Sequence, residues 1–468
     1  MEEIGEMANA LRSGATTAEA LLDRSLNRIA RLDPVLNSFV AIDEGKAREA
    51  ARESDRRLAA GAARSPVEGI PLSIKDNILV RGMPATWGSR ALADFVPDRD
   101  ELPVARLREA GAVILGKTNV PELTLEGYTS NDLFGTTRNP WNTALTPGGS
   151  SGGAAAGVAA GLVPAALGTD GGGSIRRPAS HTGLVGWKPS TGHIPRLWGF
   201  PSILSDFEVI GTLTRTVSDA RILDAIVNMP DARDRRSLRT SSPAWPKRKR
   251  RVLFVPCFAG GAVDPEVAVA TAAFADMLAH RGSEVVTGEL FFDLDSANHI
   301  WRIISRAGVA FLMGWRNGAL QAAAGPSVRS MAEDGRAFSA SDYLDALEQV
   351  AALRLQLVDI FSDYDLVLTP TAAALPWAAG EAYPSVIDGR PAGPRDHAVF
   401  TGWVNIAGIP AVSLPVAISR EGLPIGVQLV AGLDRDDELL AFAEGIGATS
   451  PLCPSLTHMV PLAITLEN

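Results

Sequence analysis

Two glycine turns, each delivering a serine, constrain what this chain can fold into. They are Pro147-Gly148-Gly149-Ser150-Ser151-Gly152-Gly153 and Gly168-Thr169-Asp170-Gly171-Gly172-Gly173-Ser174-Ile175-Arg176. Between them lies Ala154-Ala155-Ala156-Gly157-Val158-Ala159-Ala160. Side chains this small let a helix lie very close to a sheet, so a helix over Ser151–Ala160 and a strand over Val163–Leu167 are predicted. Upstream, Ile70–Ile74 alternates like a strand and leaves Lys75 near its end, on the face opposite Ile70, Leu72 and Ile74. A helix over Pro103–Ala110, stopped by Gly111, precedes a buried strand at Ala112–Leu115. This alternation of helix and strand predicts an α/β fold.

The chain divides into four stretches. Residues 1–60 read as a helical N-terminal arm. Thr16-Thr17-Ala18-Glu19 resembles a capping box, Leu22, Leu26 and Ile29 recur on one helical face, and Glu44–Ala60 is a second helix. Residues 61–200 hold the glycine turns. Residues 201–362 form a variable α/β region, with a strand at Arg251–Val255 and a helix capped by Asp264-Pro265. Residues 363–468 return to the sheet at Leu366–Leu368, Ala411–Pro415 and Ile425–Val430. One compact catalytic domain is expected overall.

A formal charge of -9 disfavours a nucleic-acid-coating role, which needs a basic surface. The basic run Lys247–Arg251 reads as a solvated linker. Cys257 and Cys453 stand far apart without metal-ligand spacing, so neither a disulfide framework nor a metal site is expected. The acidic N-terminus is unlike a secretory signal, and no stretch approaches the roughly 20 apolar residues of a membrane span. A cytoplasmic protein is expected, and no cofactor.

Gly171, Gly172 and Gly173 can turn their N–H groups toward a developing negative charge, which is what an oxyanion hole requires. Neither turn carries the lysine of a phosphate loop. A serine nucleophile needs a base. His181 and His193 are near in sequence, but no GxSxG elbow surrounds Ser174. Lys75 is the other candidate, provided burial keeps it neutral. Pattern alone favours an exposed strand-end lysine paired with Asp76.

The chain resembles the amidase signature family through Gly69-Ile70-Pro71-Leu72-Ser73-Ile74-Lys75-Asp76-Asn77, Gly116–Glu122, Phe134–Pro140, both serine turns, Gly183–Pro189, Asn405–Ala411 and Gly422–Gln428. The resemblance implies a central mixed, twisted β-sheet covered by helices on both faces. It also implies a Ser-cisSer-Lys triad of Ser174 (nucleophile), Ser150 (after a cis peptide) and Lys75. The oxyanion hole would comprise the N–H groups of Gly171, Gly172, Gly173 and Ser174, with Ser151, Asp170 and Arg176 in support. Gly171 and Trp187 depart from residues common at those positions. The implied reaction is hydrolysis of carboxamides, with carbamates, urethanes and esters as further substrates. Tyr128, Leu133, Phe134, Trp198 and Phe200 are expected to form an apolar acyl pocket, favouring hydrophobic or aryl amides. A small-molecule amide or carbamate partner is expected, with no nucleic acid or membrane; a homodimer is the assembly considered. The family's alternative is a tRNA-dependent amidotransferase component that works on misacylated tRNA, whose characteristic segments this acidic chain does not obviously match. A non-catalytic binding protein retaining the fold is the alternative from another class.

Overall fold

The small-residue run folds as a helix, Gly152–Ala159, in which every residue is buried. Its backbone lies against the chain at Ser38 and Asn119; a β-carbon on Gly153 would sit 2.4 Å from Asn119 N and 2.6 Å from Ser38 O. A computed structural model describes residues 3–238, 245, 248–258, 260–290 and 294–447. Within them this helix packs on a mixed sheet of 11 strands.

Across the sheet the strands run Phe39–Ile42, Val113–Thr118, Pro71–Lys75, Ala165–Asp170, Val209–Thr214, Val185–Lys188, Ala411–Ile418, Pro424–Ala431, Leu366–Pro370, Arg251–Phe254 and Glu284–Thr287. The middle of the sheet is antiparallel, while Pro71–Lys75 is parallel to both of its neighbours. Alternate residues serve opposite faces, as the pleat requires. Val252, Phe254, Leu366 and Leu368 pack with helices Pro265–His280 and Asp436–Gly447. Leu253 and Val367 belong instead to the core under helices Leu294–Met313 and Ala340–Asp363. The expected α/β architecture, helices on both faces of a mixed sheet, is what forms.

Several boundaries differ from expectation for identifiable reasons. The helix expected after Thr16-Thr17 starts at Ala18 with Thr17 as N-cap, its hydroxyl accepting from Ala20 N at 3.1 Å. Asp55 of the neighbouring helix accepts from Ala18 N and Glu19 N, the first two N–H groups of the helix. The arm is not purely helical: Asn37 turns left-handed (φ 52°), and Phe39–Ile42 joins the sheet edge. The strand after the small-residue helix begins at Ala165, beyond Pro164, and extends to Asp170. Residues 201–362 supply three strands of the same sheet. Part of the basic run is structured: Arg248 pairs with Asp365 at 2.7 Å and Arg251 opens a strand, while Lys247 and Cys453 lie outside the described residues. Among the described residues no helix is long and apolar enough to cross a membrane.

Glycine to alanine inside a helix ordinarily stabilises by about 0.5–1 kcal/mol. At Gly153 the added methyl meets backbone that cannot yield, so Gly153→Ala should instead destabilise by about 1–3 kcal/mol, read from the denaturant midpoint.

Candidate active site

Pro71–Lys75 and Ala165–Asp170 are parallel neighbours, so both release their last side chains at the same edge of the sheet. Lys75 leaves the first strand fully buried. Its Nζ lies 2.8 Å from Ser150 Oγ, 2.9 Å from Thr169 Oγ1 and 3.2 Å from Thr169 O. Asn77 Nδ2 also donates to Thr169 Oγ1, at 3.1 Å. Burial lowers the Lys75 pKa to about 7 against the opposing charges of Glu208 and Asp170. The exposed-lysine reading is thereby corrected. Asp76 is instead approached by buried Lys117, at 3.7 Å, and accepts from Thr86 Oγ1 at 2.6 Å.

The peptide bond between Gly149 and Ser150 is cis. Ser151 is the N-cap residue of the small-residue helix but makes no side-chain cap; its hydroxyl donates to Thr169 O at 3.2 Å, and its N–H donates to Ser174 O at 3.1 Å. Ser151 therefore braces both serine turns.

Asp170 organises the second turn. Its carboxylate accepts from Gly173 N (2.7 Å), Ile175 N (3.1 Å) and the Arg176 guanidinium (2.8 and 3.0 Å). Burial alone would raise this carboxyl's pKa, yet the Arg176 charge and hydrogen bonds hold it well below the usual range. Arg176 in turn reaches Gln428 Oε1 at 2.6 Å and Asn405 Oδ1 at 2.5 Å. Thr401 Oγ1 donates to Gly172 O at 2.8 Å. Gly173 holds φ at +112°, where a β-carbon would strike Thr401. Because its N–H is committed to Asp170, the set of oxyanion candidates contracts to Gly171, Gly172 and Ser174.

Ser174 opens, with Gly171 and Gly172, onto a cleft of about 170 Å³. That is roughly ten times the space one water needs. None of Tyr128, Leu133, Phe134, Trp198 and Phe200 lines it, which corrects the apolar-pocket expectation. Phe200 stacks instead on Trp87, with centroids 4.6 Å apart. Trp198 lies at the surface under Arg233, 4.7 Å away. Leu133 and Phe134 form the turn of a small hairpin, their N–H groups held by Asn131 Oδ1 at 2.9 and 2.7 Å. The Tyr128 backbone lies beside Gly149, its carbonyl oxygen 2.4 Å from where a β-carbon there would sit.

Sequence reasoning missed Thr169, Thr401, Asn405 and Gln428 as site residues. Three of them lay in segments already singled out, and their polarity inside apolar strand or helix patterns was the available signal. His181 and His193 do not serve Ser174. His181 Nε2 lies 3.2 Å from Ala374 O, with burial lowering its pKa to about 4, and His193 pairs with Asp224 at 2.8 Å. Among the described residues no cluster of His, Cys, Asp and Glu could hold a metal ion.

A family model described as Amidase matches residues 20–440. The chain belongs to the amidase signature family. It is 35% identical over 465 residues to the A-subunit of the glutamyl-tRNA(Gln) amidotransferase of Synechococcus sp. (strain CC9605), covering 92% of this chain and 93% of that one. Among solved structures, a bacterial aryl acylamidase of the family superposes with a TM-score of 0.88 at 26% identity, covering 98% of each chain. A 6-aminohexanoate cyclic dimer hydrolase superposes with a TM-score of 0.87 at 28% identity, covering 99% of each. Members of this family hydrolyse C–N bonds.

Removing Arg176 leaves the Asp170 carboxylate buried without its countercharge. Arg176→Ala should therefore cost about 3–5 kcal/mol in chemical denaturation.

Proposed function

We propose that this chain is an amide hydrolase in which Ser174 is the nucleophile and Lys75, acting through Ser150, its base. The observation carrying this reading is the contact of buried Lys75 with Ser150 at 2.8 Å. Thr169 O can only accept, so Lys75 must direct an N–H at it. A neutral amine has two N–H bonds, enough for the two Thr169 oxygens, and one lone pair left for the Ser150 proton. With its pKa lowered to about 7, the amine is substantially neutral near neutrality.

In the proposed reaction Ser174 Oγ bonds to the carbonyl carbon while its proton passes to Ser150 and the Ser150 proton to Lys75. Charge develops on the carbonyl oxygen, where the N–H groups of Gly171, Gly172 and Ser174 would receive it. Collapse breaks the C–N bond, and the amine leaves with the proton returned along the same route. Water then attacks the acyl-serine by the same relay and releases the acid. Esters and carbamates offer the same carbonyl to the same nucleophile. Because the five expected residues lie elsewhere, a hydrophobic or aryl preference would rest on Leu125, Leu204, Trp301 and Met331 of the cleft lining instead.

The relative in Synechococcus favours a second reading, a component of an amidotransferase. The two readings part on the isolated chain. A hydrolase turns over amides alone, whereas an amidotransferase component is inert until its partners are added.

A fluorophosphonate should label the folded protein at Ser174, and Ser174→Ala should abolish that labelling. No labelling of folded wild-type protein would sink the nucleophile assignment. Lys75→Ala should lower kcat/KM by about 10²–10⁴. As the required form of Lys75 is the neutral one, activity should fall on acidification below about pH 7, and that acid limb should vanish in Lys75→Ala. An unchanged pH profile would assign the base elsewhere.

A further inference from the structure

Resting on the hydrolase reading, we infer that the cleft takes an amide carrying a carboxylate a few bonds from the scissile carbonyl, held by Arg177 and Arg395. Both arginines line the cleft with Ser174. Arg177 follows the nucleophile by one helical turn and is 6% exposed. Its Nε has no hydrogen-bond partner, and its Nη2 reaches only Gly149 O, at 3.4 Å. A β-carbon on Gly173 would lie 3.1 Å from Arg177 Nε, which puts this guanidinium next to the nucleophile turn. Arg395 likewise has an unpartnered, buried Nε, and its guanidinium lies 4.8 Å from the ring centroid of Trp301, which lines the same cleft.

Among the described residues neither arginine has a carboxylate within ion-pair distance. The carboxylates on the same cleft have other partners. Glu208 is bound by Arg196, and Glu126 accepts from Ser327 Oγ at 3.1 Å. The third cleft arginine, Arg306, pairs with Asp334 at 2.9 Å. Burying a guanidinium without a counter-ion is costly, and more so when two face one cavity. Burial lowers the Arg177 pKa to about 9, with Arg395 the next cause; Arg395 is lowered to about 10 by burial and Arg306. An anion between them offsets the desolvation and the repulsion together, and the planar fork of arginine matches a carboxylate in two parallel hydrogen bonds. His397 adds a neutral contact. Both of its ring nitrogens are buried without partners, and burial followed by the Arg177 charge keeps it uncharged near neutrality. It can donate one hydrogen bond and accept one.

The test compares succinamate with butyramide and glutaramate with valeramide, pairs differing in a terminal carboxylate against a methyl, by ammonia release from the full chain. The carboxylate member should be preferred at least tenfold in kcat/KM. Arg395→Gln should erase most of that ratio through KM, and Arg395→Lys should restore part of it. Equal or inverted preference in the wild type, or a ratio untouched in Arg395→Gln, overturns the inference. Glutarate should also slow fluorophosphonate labelling of Ser174. If Ser174 is never labelled, or if all four amides are inert, the hydrolase reading is what suffers. Calorimetric binding of glutarate to the wild-type protein, lost in Arg395→Gln, then still supports the anion site, and no binding removes it.

Discussion

The buried ion pair of Asp170 and Arg176 joins parts of the chain that are otherwise remote. Asp170 ends a central strand, Arg176 opens the helix after the glycine turn, and Arg176 reaches Gln428, 252 positions away. Two such charges taken out of water must satisfy each other's hydrogen-bonding capacity, and here nearly every donor and acceptor is used. Gly173 N, Ile175 N and Asn405 Nδ2 all converge on the one carboxylate. The turn carrying Ser174 is therefore held by charge on one side and by Thr401 on the other.

Lys75 presents the complementary problem. It is as deeply buried as Arg176 but meets only neutral oxygens, those of Ser150 and Thr169. Without a carboxylate in contact, burial outweighs the charges of Glu208 and Asp170 and lowers its proton affinity. Buried surroundings thus give Arg176 a carboxylate in contact and leave Lys75 among neutral oxygens. The difference lies in a single partner, the carboxylate at Asp170.

Much of the framework was legible in local pattern. The strand ending at Lys75, the helix of small residues and the capped helix at Pro265 each follow from spacing, capping or side-chain size. Strands buried on both faces were harder: Val185–Lys188 and Val209–Thr214 have no exposed face to impose a clean polar–apolar alternation. The aromatic residues misled because flanking a motif in sequence says nothing of direction. Phe200 turns toward Trp87, and the cleft lining comes from residues such as Trp301 and Arg395 far along the chain.

By itself the sequence determined the kind of chemistry within reach: two serines on glycine turns, a lysine after an apolar strand, and an acid and an arginine beside the second serine. These are local facts, written in residue type and spacing. Only the tertiary structure decided that Lys75 is sealed from water against Ser150, that Gly173 is spent on Asp170, and that the cleft is walled by arginines rather than by the aromatic residues flanking the motifs. Burial and charge environment depend on residues hundreds of positions apart, and no local pattern encodes which of them will meet.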